Sequence, residues 1–272
     1  MPHFTTSDGL SLHYTDEGTG LPLLCLPGLT RTGRDFDYLR PHLPPGRMIT
    51  LDARGRGQSD WDPEPMNYVL PVEVRDVTEL LDHLGLGAAA ILGTSRGGLV
   101  AMGLAAAAPD RLLGTCLNDV GPELDPAGLG AIMVYLGRRP AARTHADAAA
   151  AMAALLPGFT NVPMARWLSE ARLHYREGPD GLDITYDPAL RVPVDAGGEI
   201  PDLWPFFDAL AGKPLALIRG AGSNLLSAET AAKMQARRPD MIHAEVPGRG
   251  HVPFLDEPEA VETISTWMEM LS

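Results

Sequence analysis

Short apolar runs recur along the chain, each too brief to make a helix. L-P-L-L-C-L-P (21–27), R-M-I-T-L-D (47–52), A-A-A-I-L-G (88–93), L-L-G-T-C-L-N (112–118), P-L-A-L-I-R-G (214–220) and M-I-H-A-E-V-P (241–247) have the length of strands buried on both faces. Between them the period changes. Val69 to Leu84 lines Leu70, Val74, Val77, Leu80, Leu81 and Leu84 along one stripe. Ser95 to Ala107 is small and apolar nearly all round, as a helix packed deep on a sheet would be, and 228–237 and 257–271 continue the helical series. Strands alternating with helices predict an α/β fold with a mostly parallel sheet covered by helices on both faces. The alternating S-L-H-Y-T-D-E-G (11–18) predicts an antiparallel hairpin near the start.

The alternation stops between about Gly121 and Ile200. No buried-strand run occurs there; H-A-D-A-A-A-A-M-A-A-L-L (145–156) and A-R-W-L-S-E-A-R-L-H-Y-R (165–176) are helical in period and separated by Pro and Gly. The predicted organisation is therefore a core of residues 1–120 and 201–272, interrupted by a mostly helical cap at 121–200.

Composition narrows the picture only a little. A formal net charge of −13 repels nucleic acid and anionic lipid, so neither is an expected partner. Cys25 and Cys116 each sit inside an apolar run and read as buried, reduced thiols. The first residues lack a basic stretch followed by an apolar one, and no window approaches the length of a membrane span, so a soluble cytoplasmic protein is expected.

The chemistry concentrates in G-T-S-R-G-G (93–98), between a buried strand and a helix. A serine at the tip of such a turn is held in a strained conformation and needs small residues two before and two after it; Gly93 and Gly97 supply them. With this motif in its strand–turn–helix setting, the chain resembles the α/β-hydrolases over nearly its whole length. L-P-G-L-T (26–30) resembles the loop that lends an N–H to the oxyanion hole, and D-A-R-G-R-G-Q-S (52–59) resembles the family's turn after the fourth strand. G-R-G-H-V-P-F-L-D-E-P-E-A (248–260) resembles the segment that carries the catalytic histidine. The resemblance implies a mostly parallel eight-stranded sheet with a helical cap insertion, Ser95 as nucleophile and His251 as general base. It also implies an oxyanion hole from the backbone N–H groups of Leu29 and Arg96. The Arg96 side chain either meets an anionic substrate group or faces neighbouring helices. His174 and His243 read as surface or core residues, and Asp52 and Arg54 as loop braces.

One position departs from the family. Relatives commonly carry Ser-Asp where this chain has Ser223-Asn224, so the acid slot holds Asn224. An Asn can accept from the histidine Nδ1–H but cannot stabilise an imidazolium by charge. Three accounts stand side by side. Asp119, in L-N-D-V-G-P-E-L, can serve as an alternative acid, with Glu123 four residues on; against this, N-D-V-G-P also reads as a plain turn. Asn224 can be native in an enzyme that needs no fast triad. It can also be an Asp→Asn change introduced to trap a ligand.

A serine nucleophile argues against the dehalogenase and epoxide hydrolase chemistries, which use Asp at that position of the fold. The predicted function is a cofactor-independent serine hydrolase of small carboxylic esters, lactones or similar acyl substrates, working through an acyl-enzyme on Ser95. Cleavage of an activated C–C bond next to a ketone, cofactor-free oxygenation with His251 as base, and ligand binding with little turnover stay open. Trp167, Tyr135, Met133, Trp204 and Phe206 are candidate pocket walls. Neither a metal-ligand cluster nor a nucleotide fingerprint is present, so no metal and no cofactor is expected; the partner is a small-molecule substrate, and oligomeric state is left open.

Overall fold

The computed structural model describes residues 2–197 and 201–271. In chain order the elements are β1 (His3–Thr5), β2 (Ser11–Glu17), β3 (Pro22–Leu26), β4 (Arg47–Leu51), α1 (Leu70–His83), β5 (Ala89–Thr94), α2 (Arg96–Ala107) and β6 (Leu112–Asn118). An insertion follows, with α3 (Pro126–Tyr135), α4 (His145–Leu155), α5 (Met164–His174), β7 (Tyr175–Gly178), β8 (Gly181–Ile184) and α6 (Val192–Asp195). The chain closes with α7 (Trp204–Asp208), β9 (Leu215–Gly220), α8 (Ala228–Arg237), β10 (Ile242–Val246) and α9 (Pro258–Glu269).

The eight strands outside the insertion form one sheet in the order β1-β2-β4-β3-β5-β6-β9-β10. The β1–β2 hairpin and the β2–β4 pairing are antiparallel and every other pairing is parallel. Each central strand feeds two cores, because side chains alternate across a pleated strand. Leu24, Leu26, Ile91, Leu215 and Leu217 pack on the side of α1, α2 and α8. Leu23, Cys25, Leu92, Cys116, Ala216 and Ile218 pack on the side of α9, where Ile264 and Trp267 meet them. Cys25 and Cys116 are both buried and unpaired, as their apolar settings predicted.

The insertion differs from its predicted helical character in one element. Tyr175-Arg176, read as the end of a helix, instead begins a strand: β7 and β8 pair antiparallel, and Tyr186 beyond them bridges to Arg56 of the core. The turn G-P-D-G (178–181) closes this hairpin with Gly181 at φ 123°, a conformation that favours glycine. The cap packs its own small core from Ala148, Ala149, Trp167, Ala171 and Leu182, sealed onto the main body by Phe254. The predicted cap boundary at Ile200 lies outside the described residues. Among the described residues, no helix is long and apolar enough to cross a membrane.

Candidate active site

Ser95 sits between the end of β5 and the first residue of α2 with φ 49° and ψ −113°. Close packing makes the flanking glycines necessary. A Cβ on Gly93 would lie 2.6 Å from the Gly97 backbone, and one on Gly97 would lie 2.1 Å from the Leu26 carbonyl oxygen. The turn is locked by the Ser95 N–H, which donates to the Asn118 carbonyl at 2.9 Å. The Asn118 side chain adds bonds to Thr94 Oγ1 (3.1 Å) and the Pro253 carbonyl (3.3 Å), so one buried amide touches the segments on either side of the site.

His251 lies in the loop between β10 and α9. Its Nε2 is 3.0 Å from Ser95 Oγ, and its Nδ1 is 2.7 Å from Asp119 Oδ2. Asp119, immediately after β6, has 0% of its surface exposed. Its carboxylate is fully engaged: Gly220 N–H donates to Oδ1 at 2.8 Å, and Ser223 Oγ donates to Oδ2 at 2.6 Å beside the histidine. The residue also occupies φ 57°, the left-handed region an Asp tolerates in a turn. Asp119 thus makes the turn that N-D-V-G-P reads as and, from the same position, faces the imidazole.

Asn224, proposed as the acid slot, is not where the histidine points. Among the described residues no hydrogen bond joins its side chain to His251, and its backbone packs against Gly128 of α3, where an added Cβ would meet the Asn224 carbonyl oxygen at 2.5 Å. Its neighbour Ser223 is the residue of that pair which reaches the site, as a donor to Asp119. Glu123 is also distant in role: it accepts from Trp204 Nε1 at 3.0 Å and pairs with Lys233.

Of the two predicted oxyanion donors, Arg96 follows Ser95 directly and Leu29 follows Gly28, which lies close to the serine. Arg96 is the first residue of α2, so its N–H has no partner within the helix. On the other side, a Cβ on Gly28 would lie 3.8 Å from Ser95 Cβ, so the residue before Leu29 stands in van der Waals reach of the serine. The Arg96 side chain turns away, its Nε donating to Glu73 of α1 at 2.6 Å, so of its two predicted roles the helix-facing one matches the geometry.

Of the candidate walls, Met133 packs against the buried cluster of Tyr68, Leu136 and Ile184, which Leu29 also meets. Tyr135 ends the same helix. Trp167 belongs to the cap interior, edge-on to Phe159 and Phe254, and Trp204 and Phe206 pack against the main core. Trp167 is buried, while Trp204 and Phe206 are half-buried with their rings packed against that core. Asp52 accepts from Gly33 N–H, Gln58 N–H and His13, which matches its predicted role as a loop brace. Among the described residues, no three His, Cys, Asp or Glu side chains converge as metal ligands would.

Sequence reasoning passed over a cluster at the joint between core and cap. Arg31, two residues beyond Leu29, directs Nη1 to Asp35 (3.2 Å), to Glu170 of α5 (3.3 Å) and to His174. Burial pushes the Asp35 carboxyl up to about 7 although Arg31 opposes it, and burial together with Arg31 holds His174 well below its ordinary value, hence neutral. The visible signal was a charged residue, Arg31, in a loop otherwise made of Leu, Pro, Gly and Thr.

A parallel sheet carrying a strained serine at a strand–helix turn, a histidine and a carboxylate at its carboxyl edge defines the hydrolase class of α/β folds. The chain belongs to the alpha/beta hydrolase family, whose sequence profile it matches over residues 23–264, and it is a hydrolase of that family. It is 38% identical over 251 residues to the 3-hydroxybutyrate-oligomer hydrolase of Cupriavidus necator, a match covering 88% of this chain and 85% of the relative. It is 28% identical over 243 residues to the 2-(acetamidomethylene)succinate hydrolase of Mesorhizobium japonicum, covering 89% and 85%. Among solved structures, an alpha/beta hydrolase from Novosphingobium aromaticivorans superposes with a TM-score of 0.91 at 39% identity, over 98% of this chain and 97% of that one.

Proposed function

We propose that the chain is a cofactor-independent serine hydrolase that cleaves small carboxylic esters through an acyl-enzyme on Ser95, with His251 as general base and Asp119 as the acid that orients it. The observation that carries this reading is the continuous chain of hydrogen bonds from Ser95 Oγ through both nitrogens of His251 to Asp119. Neutral imidazole takes the Ser95 proton at Nε2 as Oγ adds to the ester carbonyl, and the resulting imidazolium is stabilised by the buried Asp119 carboxylate. The tetrahedral oxyanion faces the N–H groups of Leu29 and Arg96. Its collapse expels the alcohol, protonated from Nε2, and leaves an ester on Oγ. Water activated by the same histidine then releases the acid and restores the serine.

The relative from Cupriavidus necator is named for hydrolysis of 3-hydroxybutyrate oligomers, and on that likeness the proposed substrate class is an ester of a short hydroxy acid. The reading as a binding protein with little turnover rested on a missing acid, and the Asp119–His251 hydrogen bond argues against that premise. An alkyl fluorophosphonate is expected to label Ser95 stoichiometrically, with Ser95→Ala lowering kcat on p-nitrophenyl acetate by at least about 10⁴-fold. Activity that survives in Ser95→Ala would sink the acyl-enzyme mechanism, and p-nitrophenyl acetate turning over far better than a 3-hydroxybutyrate dimer would sink the substrate class alone.

A further inference from the structure

The D-A-R-G-R-G-Q-S turn contains a second arginine that the triad does not use. Arg56, 1% exposed, donates from Nε to the Leu29 carbonyl at 2.8 Å and from Nη1 to the Arg54 carbonyl at 2.6 Å. Its Nη1 also lies 2.9 Å from Oε1 of Glu73, a residue of α1 that is 3% exposed. The other oxygen of that carboxylate, Oε2, accepts from Arg96 Nε at 2.6 Å. Arg56, Glu73 and Arg96 line one small cavity together with Leu26, Pro27, Gly28 and Gly97, directly behind the nucleophile turn.

The buried Arg56 and the half-buried Arg96 stand side by side and repel one another, and each would lean away from the other without an anion between them. Burial alone would raise the Glu73 carboxyl, but Arg96 and Arg56 outweigh it and hold the group below its ordinary range, so it stays ionised. Arg56 in turn fixes the Leu29 carbonyl. The held Leu29–Thr30 peptide restrains the Leu29 backbone from its far side, next to Gly28, where an added Cβ would meet Ser95 Cβ at 3.8 Å. On the other side, the Arg96 side chain is drawn toward α1, which seats the first turn of α2 and with it the Arg96 N–H.

We propose that Glu73 is a positioning residue for the oxyanion hole: one buried carboxylate holds Arg56, which anchors the Leu29 peptide, and Arg96, whose own N–H is the second donor. The inference rests on the acyl-enzyme reading of Ser95. It goes beyond that reading by placing control of the oxyanion geometry on a helix that supplies no member of the triad.

The test is Glu73→Gln, an exchange that keeps the volume and removes the charge. Active sites are counted by fluorophosphonate titration, so that kcat on p-nitrophenyl acetate is expressed per active site. The expected result is a kcat lower by about 10- to 100-fold, somewhat less than the loss of a whole oxyanion donor, with KM within about threefold. Affinity for an aryl trifluoromethyl ketone, which adds to Ser95 and places an oxyanion in the hole, is expected to weaken by the same factor. A merely structural role would reduce the number of active sites and leave both per-site values alone. The apparent pKa of the acid limb of the pH–rate profile is expected to stay fixed, because the His251–Asp119 pair is untouched.

Unchanged per-site kcat overturns the proposal, as does a loss of kcat without a matching loss of ketone affinity, or a shifted acid limb. If Glu73→Gln does not fold, Glu73→Asp and Arg96→Met carry the same readouts. The first shortens the tether and the second cuts one arm while keeping the N–H, and full per-site activity in both overturns the proposal. A wild-type chain that neither turns over the ester nor reacts with the fluorophosphonate overturns the serine-hydrolase reading and this inference with it. An active wild type with an unaffected Glu73→Gln overturns this inference alone.

Discussion

Asp119 receives three hydrogen bonds, from Gly220 N–H, Ser223 Oγ and His251 Nδ1, and offers solvent nothing. An Asn at that position has a single oxygen for three donors, and its NH₂ would face one of them. Asp119→Asn is therefore expected to cost both charge and tautomer, lowering kcat on p-nitrophenyl acetate by about 10⁴-fold, the scale of the equivalent exchange in serine proteases. Asn224→Asp is expected to change kcat by less than about threefold, since the side chain makes no bond to the histidine and a charge at a half-exposed site is well screened. A gain of orders of magnitude in Asn224→Asp would return the acid to that loop. The contrast also explains what could be read in advance. Ser95 and His251 are surrounded by residues that state their geometry locally, the glycines of G-T-S-R-G and the G-H-V-P loop. Asp119 has only a generic turn around it, and the residues that make its carboxylate special, Gly220 and Ser223, lie about a hundred positions further along.

Among elements, the strands and helices of the core were legible because each is buried in its own distinctive period, and the cap hairpin was not. β7 and β8 have four residues each, are only partly buried, and carry Arg, Glu and Asp, so neither length nor alternation separates them from the helix they follow. Only G-P-D-G marked the turn. The joint between α5 and the core loop makes a pH-dependent contribution of definite sign. Asp35 is pushed up to about 7 by burial, against the pull of Arg31, while an unfolded Asp titrates near 3.9. Between about pH 4 and 7 the folded chain thus holds a proton that the unfolded chain has released, and stability from this group falls as pH rises through that window. Burial raises Glu170 in the same direction, with Arg31 again opposing. His174 works the other way, because its unfolded form binds a proton below about 6.5 that the buried ring refuses. Asp35→Asn removes the first contribution only. Its Tm is expected to match the wild type near pH 4 and to gain on it by on the order of 10 °C by pH 8. Parallel Tm curves across that range would mean that Asp35 is ionised throughout.

At the scale of the whole molecule, the parallel sheet collects the carboxyl ends of β5, β6 and β9 at one edge, and residues far apart in sequence meet there. The double-sided burial of each strand was written in the sequence. The strand order was not, because it depends on crossovers that leave no local trace. Separate segments also meet at Arg54, which has no exposed surface inside a chain whose formal net charge is −13. Arg54 binds Asp76 of α1 through two bonds of 2.6 Å, Asp62 from the loop after β4, and Asp8 from the β1–β2 turn. Three segments with like charges are thereby held within a few ångströms, an arrangement that depends on the cation at its centre. Arg54→Met fills much of the volume but strands these carboxylates without a counter-charge, which is expected to cost about 3–5 kcal/mol and lower Tm by roughly 10 °C. Arg54→Lys is expected to recover only part of that loss, since an ammonium cannot make the paired bonds to Asp76 while still reaching Asp62. Lowering the pH toward 4 should narrow the gap between Arg54→Met and wild type, because the stranded carboxylates can then take up protons. Thermal unfolding at pH 7.5 and pH 4.5 checks both points, and a Met variant that melts within about 2 °C of wild type would mean the acidic groups escape to solvent when the arginine is gone.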